Sequence, residues 1–79
     1  MAITVKFFAA LAERLGRRQA QIEFTDGMTV ADAWNAATGD ETRPAQVLMA
    51  VNMAYAGPDR RLEDGDEIGF FPPVTGGCR

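Results

Sequence analysis

The chain reads as a single α+β domain, a mixed sheet of four to five strands with two helices packed on one face. Three observations carry that reading. Apolar residues recur at period 2 in several separated stretches, and two other stretches change to helical i, i+3, i+4 spacing. A length of 79 residues with 47% hydrophobic content allows one core. In so short a chain, helices that interrupt strands bury their apolar side most economically against one shared sheet.

Ile3, Val5 and Phe7 alternate with Thr4, Lys6 and Phe8, as in a strand with one buried face. From Ala9 the period changes: Leu11 and Leu15 stand four apart with Ala12 between them, a short helix that Gly16 stops. Arg17-Arg18 follows, and Ala20, Ile22 and Phe24 resume alternation in a second strand before the turn signal Asp26-Gly27. Thr29 suits a helix N-cap, and Asp32 lies favourably near the positive end of the dipole. Val30, Ala33, Trp34 and Ala37 form the apolar stripe of that helix, which Thr38-Gly39-Asp40 ends.

Residues 40–44 are polar and read as a loop. Val47, Met49 and Val51 then alternate in a third strand, and Asn52 turns the chain into a short segment over residues 54–56. Gly57-Pro58-Asp59 breaks it, and Leu62 anchors a turn closed by Asp64-Gly65-Asp66. A final strand over residues 67–71 points Ile68 and Phe70 inward and Gly69 and Phe71 outward. Pro72-Pro73 ends it, since neither residue donates to a ladder. The expected division is a domain over 1–73 and a flexible tail over 74–79. Net stability in a domain of this size is about 5 kcal/mol, with Trp34 and the buried aromatics carrying a large share.

Composition removes several function classes. The 8 basic and 11 acidic residues give a net charge of −3, against nucleic acid as a main partner. Arg17-Arg18 and Arg60-Arg61 are the only tight basic clusters and read as solvated turns. No His and no Ser occur, and the single cysteine stands beside the C-terminus, so no His relay or internal disulfide is available. Glu63, Asp64, Asp66 and Glu67 lack the alternating ligand spacing of a calcium loop and read as a soluble turn around Gly65, with no metal site. Tyr55 has no evident base. No catalytic residue emerges, and the chain is expected to be a carrier or non-catalytic subunit rather than an enzyme. No stretch approaches the roughly 18 apolar residues of a membrane span, and a cytoplasmic protein is expected.

The unusual feature is the end. Phe70-Phe71-Pro72-Pro73-Val74-Thr75-Gly76-Gly77 runs from a strand through a stiff spacer into two residues without side chains, which pass through narrow tunnels that a Cβ would block. Outward Phe71 beside this tail reads as an anchor for a partner, with its replacement by Ala expected to weaken binding and barely change the melting point. The stretch from Leu62 to Gly77 closely resembles the end of the molybdopterin synthase small subunit. That family belongs with the thiamin sulfur carrier in the ubiquitin-like β-grasp group. Val47-Leu48-Met49-Ala50-Val51-Asn52 looks like its third strand, and Val5-Lys6-Phe7-Phe8-Ala9 with residues 13–16 like its opening strand and helix.

The resemblance implies a ubiquitin-like β-grasp fold and a sulfur carrier. Gly77 would be adenylated by an E1-like partner that uses ATP and then converted to a thiocarboxylate, while Pro72, Pro73, Val74, Thr75 and Gly76 thread into partner sites. A sulfur-accepting synthase subunit is the second implied partner, with a molybdopterin precursor or a thioacid metabolite as acceptor. No cofactor is expected on this chain, and neither nucleic acid nor membrane is expected as a partner. The pattern departs from the family at Cys78-Arg79, because while that dipeptide remains the Gly77 carboxyl is held in a peptide bond. A metalloprotease of the JAMM type that removes Cys78 and Arg79 is one explanation. An appendage foreign to the natural protein, nonspecific trimming, or action without activation are the others. The same diglycine also permits a ubiquitin-like modifier conjugated to lysines, and a plain interaction module remains a third reading.

Overall fold

The computed structural model describes residues 2–43 and 46–72. Its elements are β1 (Ala2–Phe7), α1 (Ala9–Leu15), β2 (Gln19–Glu23), α2 (Val30–Thr38), β3 (Leu48–Val51), β4 (Ala54–Tyr55) and β5 (Glu67–Phe71). The five strands form one sheet in the order β2-β1-β5-β3-β4. β1 and β5 run parallel at its centre, with Val5 opposite Ile68 and Phe7 opposite Phe70, and the other neighbours pair antiparallel. The element order is the expected one, and so is the parity: Ile3, Val5, Phe7, Ile68 and Phe70 are all buried.

Local chemistry sets the helices. Both end on a glycine in the left-handed region, Gly16 at φ 73 and Gly39 at φ 70, where a Cβ would be penalised. At the start of α2, Asp32 N–H donates to Thr29 Oγ1 at 3.3 Å and Thr29 N–H donates to Asp32 Oδ2 at 3.0 Å. This reciprocal capping box gives Asp32 a specific partner beyond the general attraction to the dipole. Arg17 is more than the solvated turn expected of it. Its guanidinium donates to the Ala37 carbonyl at 2.9 Å, supplying a cation to the C-terminal end of α2, whose own last turn has none. Arg60 and Arg61 do have exposed side chains, but the Arg60 carbonyl accepts the Val30 N–H at 3.0 Å and ties that loop to α2.

Both helices cover the face to which the buried strand residues point. Trp34 sits edge-on to Phe7 at 5.9 Å and to Phe70 at 5.0 Å, while Phe7 and Phe70 stack on each other. The indole N–H of Trp34 donates to the Glu41 carbonyl at 2.6 Å, which satisfies the buried donor and folds the polar loop back across the core. The opposite face of the sheet carries no helix among the described residues, and the candidate site lies there.

Candidate functional site

Residues of β5, β3 and β4, together with Phe8 just after β1 and Met53 between β3 and β4, make a shallow apolar groove of about 220 Å³, lined by Phe8, Ala50, Met53, Tyr55, Glu67, Gly69 and Phe71. The parallel pairing of β1 with β5 builds its centre. Phe7 and Phe70 are partners on the core side, so the residues that follow them, Phe8 and Phe71, meet on the outer side. Their rings stack with centroids 4.6 Å apart and planes within 3°. The Phe8 N–H donates to the Phe70 carbonyl at 3.1 Å, and the chain then turns sharply into α1 through Ala9 at φ 53. Phe8 is thus held against β5 just after its strand ends.

Gly69 is the floor beneath the stack. A Cβ there would lie 3.1 Å from Phe71 Cε1 and 3.1 Å from Phe8 Cε2, so the missing side chain lets both rings settle on the backbone. Phe71 itself is half-buried rather than a free surface aromatic. A stacked, partly buried ring also contributes to the fold, so its removal is expected to lower the melting point as well as to weaken binding.

The opposite end of the groove is formed by the turn between β3 and β4. Asn52 and Met53 both lie at positive φ, 50° and 74°, as the central pair of a two-residue hairpin loop that matches the twist of the strands. Asn is well suited to the first position; Met in the second costs about 1 kcal/mol relative to glycine. Asn52 is bolted to β5. Its N–H donates to the Glu67 carbonyl at 2.8 Å, its Oδ1 accepts the Glu67 N–H at 3.0 Å, and its Nδ2 donates to Asp66 Oδ1 at 2.9 Å. The other oxygen of the buried Asp66 carboxylate accepts the Glu63 N–H at 2.8 Å. The acidic run therefore works as a structural turn, and among the described residues no three metal-ligating side chains converge. At the edge of the groove, Lys6 Nζ and Glu67 Oε2 form an ion pair of 2.9 Å, half-exposed on both sides.

Of the site residues expected from sequence, Phe71 and Pro72 fall within the described part, at the end of β5. Pro73, Val74, Thr75, Gly76, Gly77, Cys78 and Arg79 lie outside the described residues, as does the expected domain boundary at 73. The sequence reading left Phe8, Met53 and Tyr55 out of the site. Phe8 carried a signal, since it falls out of phase with the buried set of its strand, as Phe71 does with its own. The signal becomes a site only when β1 and β5 are known to be neighbours.

The sequence model of the ThiS family matches residues 5–77. The chain is 38% identical to the molybdopterin synthase sulfur carrier subunit of Escherichia coli (strain K12), covering 95% of this chain and 99% of that protein. It is 33% identical to small archaeal modifier protein 1 of Haloferax volcanii, over 91% of this chain and 97% of that one. The crystal structure of the Haloferax protein superposes with a TM-score of 0.83 at 28% identity, covering 98% of this chain and 100% of that chain. The fold is thus the ubiquitin-like β-grasp. A chain in the complex of subunits 1 and 2 of the molybdopterin-converting factor from Helicobacter pylori shares it, with a TM-score of 0.66 at 22% identity and coverage of 98% and 100%.

Proposed function

We propose that this chain, which belongs to the ThiS family, is a non-catalytic sulfur carrier that delivers sulfur from a thiocarboxylate on Gly77 to a synthase subunit. The observation that carries the reading is the family match, which runs through the diglycine and stops at Gly77, together with the E. coli sulfur carrier at 38% identity over nearly the whole chain. Cys78 and Arg79 stand beyond the match and have to be removed before Gly77 offers a free carboxylate. A JAMM-type metalloprotease is a suitable agent.

The chemistry follows from what a carboxylate lacks. It is a poor electrophile, so an E1-like partner transfers AMP from ATP to a Gly77 oxygen and releases pyrophosphate. Sulfide, supplied as HS⁻ by the sulfur donor, then attacks the acyl carbon, AMP leaves with one original carboxylate oxygen, and the acyl group is left as a thiocarboxylate. The thioacid is a tethered nucleophile, held at high effective concentration in whichever enzyme accepts the tail. Molybdopterin precursor is the acceptor by analogy with the E. coli relative.

Reach makes the aromatic groove part of this reading. Five residues separate Pro72 from the carboxyl of Gly77 and span at most about 18 Å. An active site that takes Gly77 therefore lies within about 18 Å of Pro72, and the stacked Phe8 and Phe71 are an apolar surface within that reach. The similarity to small archaeal modifier protein 1 supports a second reading, conjugation to lysines. Lys6 is the single lysine of this chain, so adducts on other proteins separate easily from self-conjugates.

The test uses protein ending at Gly77, an E1-like enzyme, ATP and a sulfur donor, read by intact mass. Replacement of one oxygen by sulfur is the expected result, and isopeptide adducts in its place establish the modifier. An unchanged mass, with full biological activity after deletion of residues 76–79, leaves a plain interaction domain and refutes both.

A further inference from the structure

Met53 is 96% exposed, the most exposed of the large hydrophobic residues in the described part of the chain, and it occupies a backbone conformation that suits glycine. Either property alone is common on a protein surface. Together they describe an apolar side chain kept at a conformational cost where a smaller residue fits the turn better. The three Asn52 hydrogen bonds to Glu67 and Asp66 tie the first residue of the turn to β5. Met53 is consequently presented at a set position, in line with Tyr55 (78% exposed), Gly69 and the Phe8–Phe71 stack.

We infer that Met53 is a contact residue for the sulfur-accepting synthase subunit, held in its strained position because docking recovers what the turn loses. The inference rests on the carrier reading above and adds to it the far end of the groove. The tail leaves the sheet beside Phe71, and Met53 lies near Glu67, at the other end of β5, some four residues or about 13 Å along the strand. A partner that covers a standard patch of about 800 Å² around Phe71 spans on the order of 30 Å and reaches the turn. The flexible, polarisable thioether suits an apolar or aromatic pocket on that subunit. A partner confined to the tail and Phe71 has no use for the residue.

The sign of two measurements tests this. Titration calorimetry gives the affinity of the Gly77-terminated chain for the second molybdopterin synthase subunit of the same organism, and urea unfolding gives stability. Met53→Gly relieves the turn, so its unfolding midpoint stays equal to or above that of the parent while its affinity falls by about fivefold or more. Met53→Gln keeps the length and the strain but ends in a polar group, and it loses affinity with little change in midpoint. Met53→Leu holds affinity within about twofold of the parent, since the apolar character is retained. If Met53→Gly and Met53→Gln bind as the parent does while Phe71→Ala is weakened, the carrier reading and its aromatic face stand and the role of Met53 is overturned. If the parent chain does not bind the subunit at all, both fall.

Discussion

Removing the Phe71 ring perturbs fold and docking face together, and the structure separates the two. Full burial of a Phe side chain is worth about 1.5–3 kcal/mol, of which half-buried Phe71 realises about 1–1.5. Its stack on Phe8, at 4.6 Å and 3°, adds about 0.5–1.5 kcal/mol. Phe71→Ala is therefore expected to cost about 2 kcal/mol, which in a domain of this size lowers the melting temperature by roughly 8–16 °C. Phe8→Ala removes the same stack from the other side. A double-mutant cycle of Phe8→Ala, Phe71→Ala and the pair, followed in urea through the fluorescence of the buried Trp34, isolates the ring–ring contribution. Its expected value is about 1 kcal/mol. Additivity to within about 0.3 kcal/mol would refute the stacked geometry and with it the preformed aromatic face.

Three further changes test the elements that hold the site. Thr29→Ala removes the side-chain acceptor of the capping box and should cost about 1 kcal/mol in urea unfolding, with helix α2 fraying first in hydrogen exchange. Asn52→Ala strips a donor from the buried Asp66 carboxylate and an acceptor from the Glu67 N–H, for about 2 kcal/mol by the same unfolding measurement. The loosened turn should show as faster amide exchange at residues 52–55. Lys6→Gln breaks a half-exposed ion pair and should change stability by less than about 1 kcal/mol, with a difference from the parent that shrinks further as salt is raised.

The inward and outward parity of β1 and β5 was legible because it is a local property with period 2, whereas β3 buries Ala50 and Val51 in succession. Ile68 and Phe70 could be assigned to the core, and Gly69 and Phe71 to the outside, from the order of residues alone. The stripe of Val30, Ala33, Trp34 and Ala37 was legible for the same reason at period 3.6, and the diglycine string announced a family through its spacing. Helix caps were half legible: Thr29 was identifiable by type, whereas the reciprocal bond from Asp32 needed the turn to be closed. Arg17 was misjudged because its partner, Ala37, is distant in sequence and belongs to another element.

What the sequence by itself determined, then, is the list of elements, the buried side of β1, β5 and α2, and the kinship of the tail. The tertiary structure decided which outward residues share a surface. Phe8 and Phe71 lie at opposite ends of the chain, and no local pattern states that their strands run side by side in parallel. Met53 became notable only once its backbone angle and exposure were known together. Strand pairing is a long-range choice made by the closing of one core around Trp34, Phe7 and Phe70, and the groove on the far side of the sheet is its consequence.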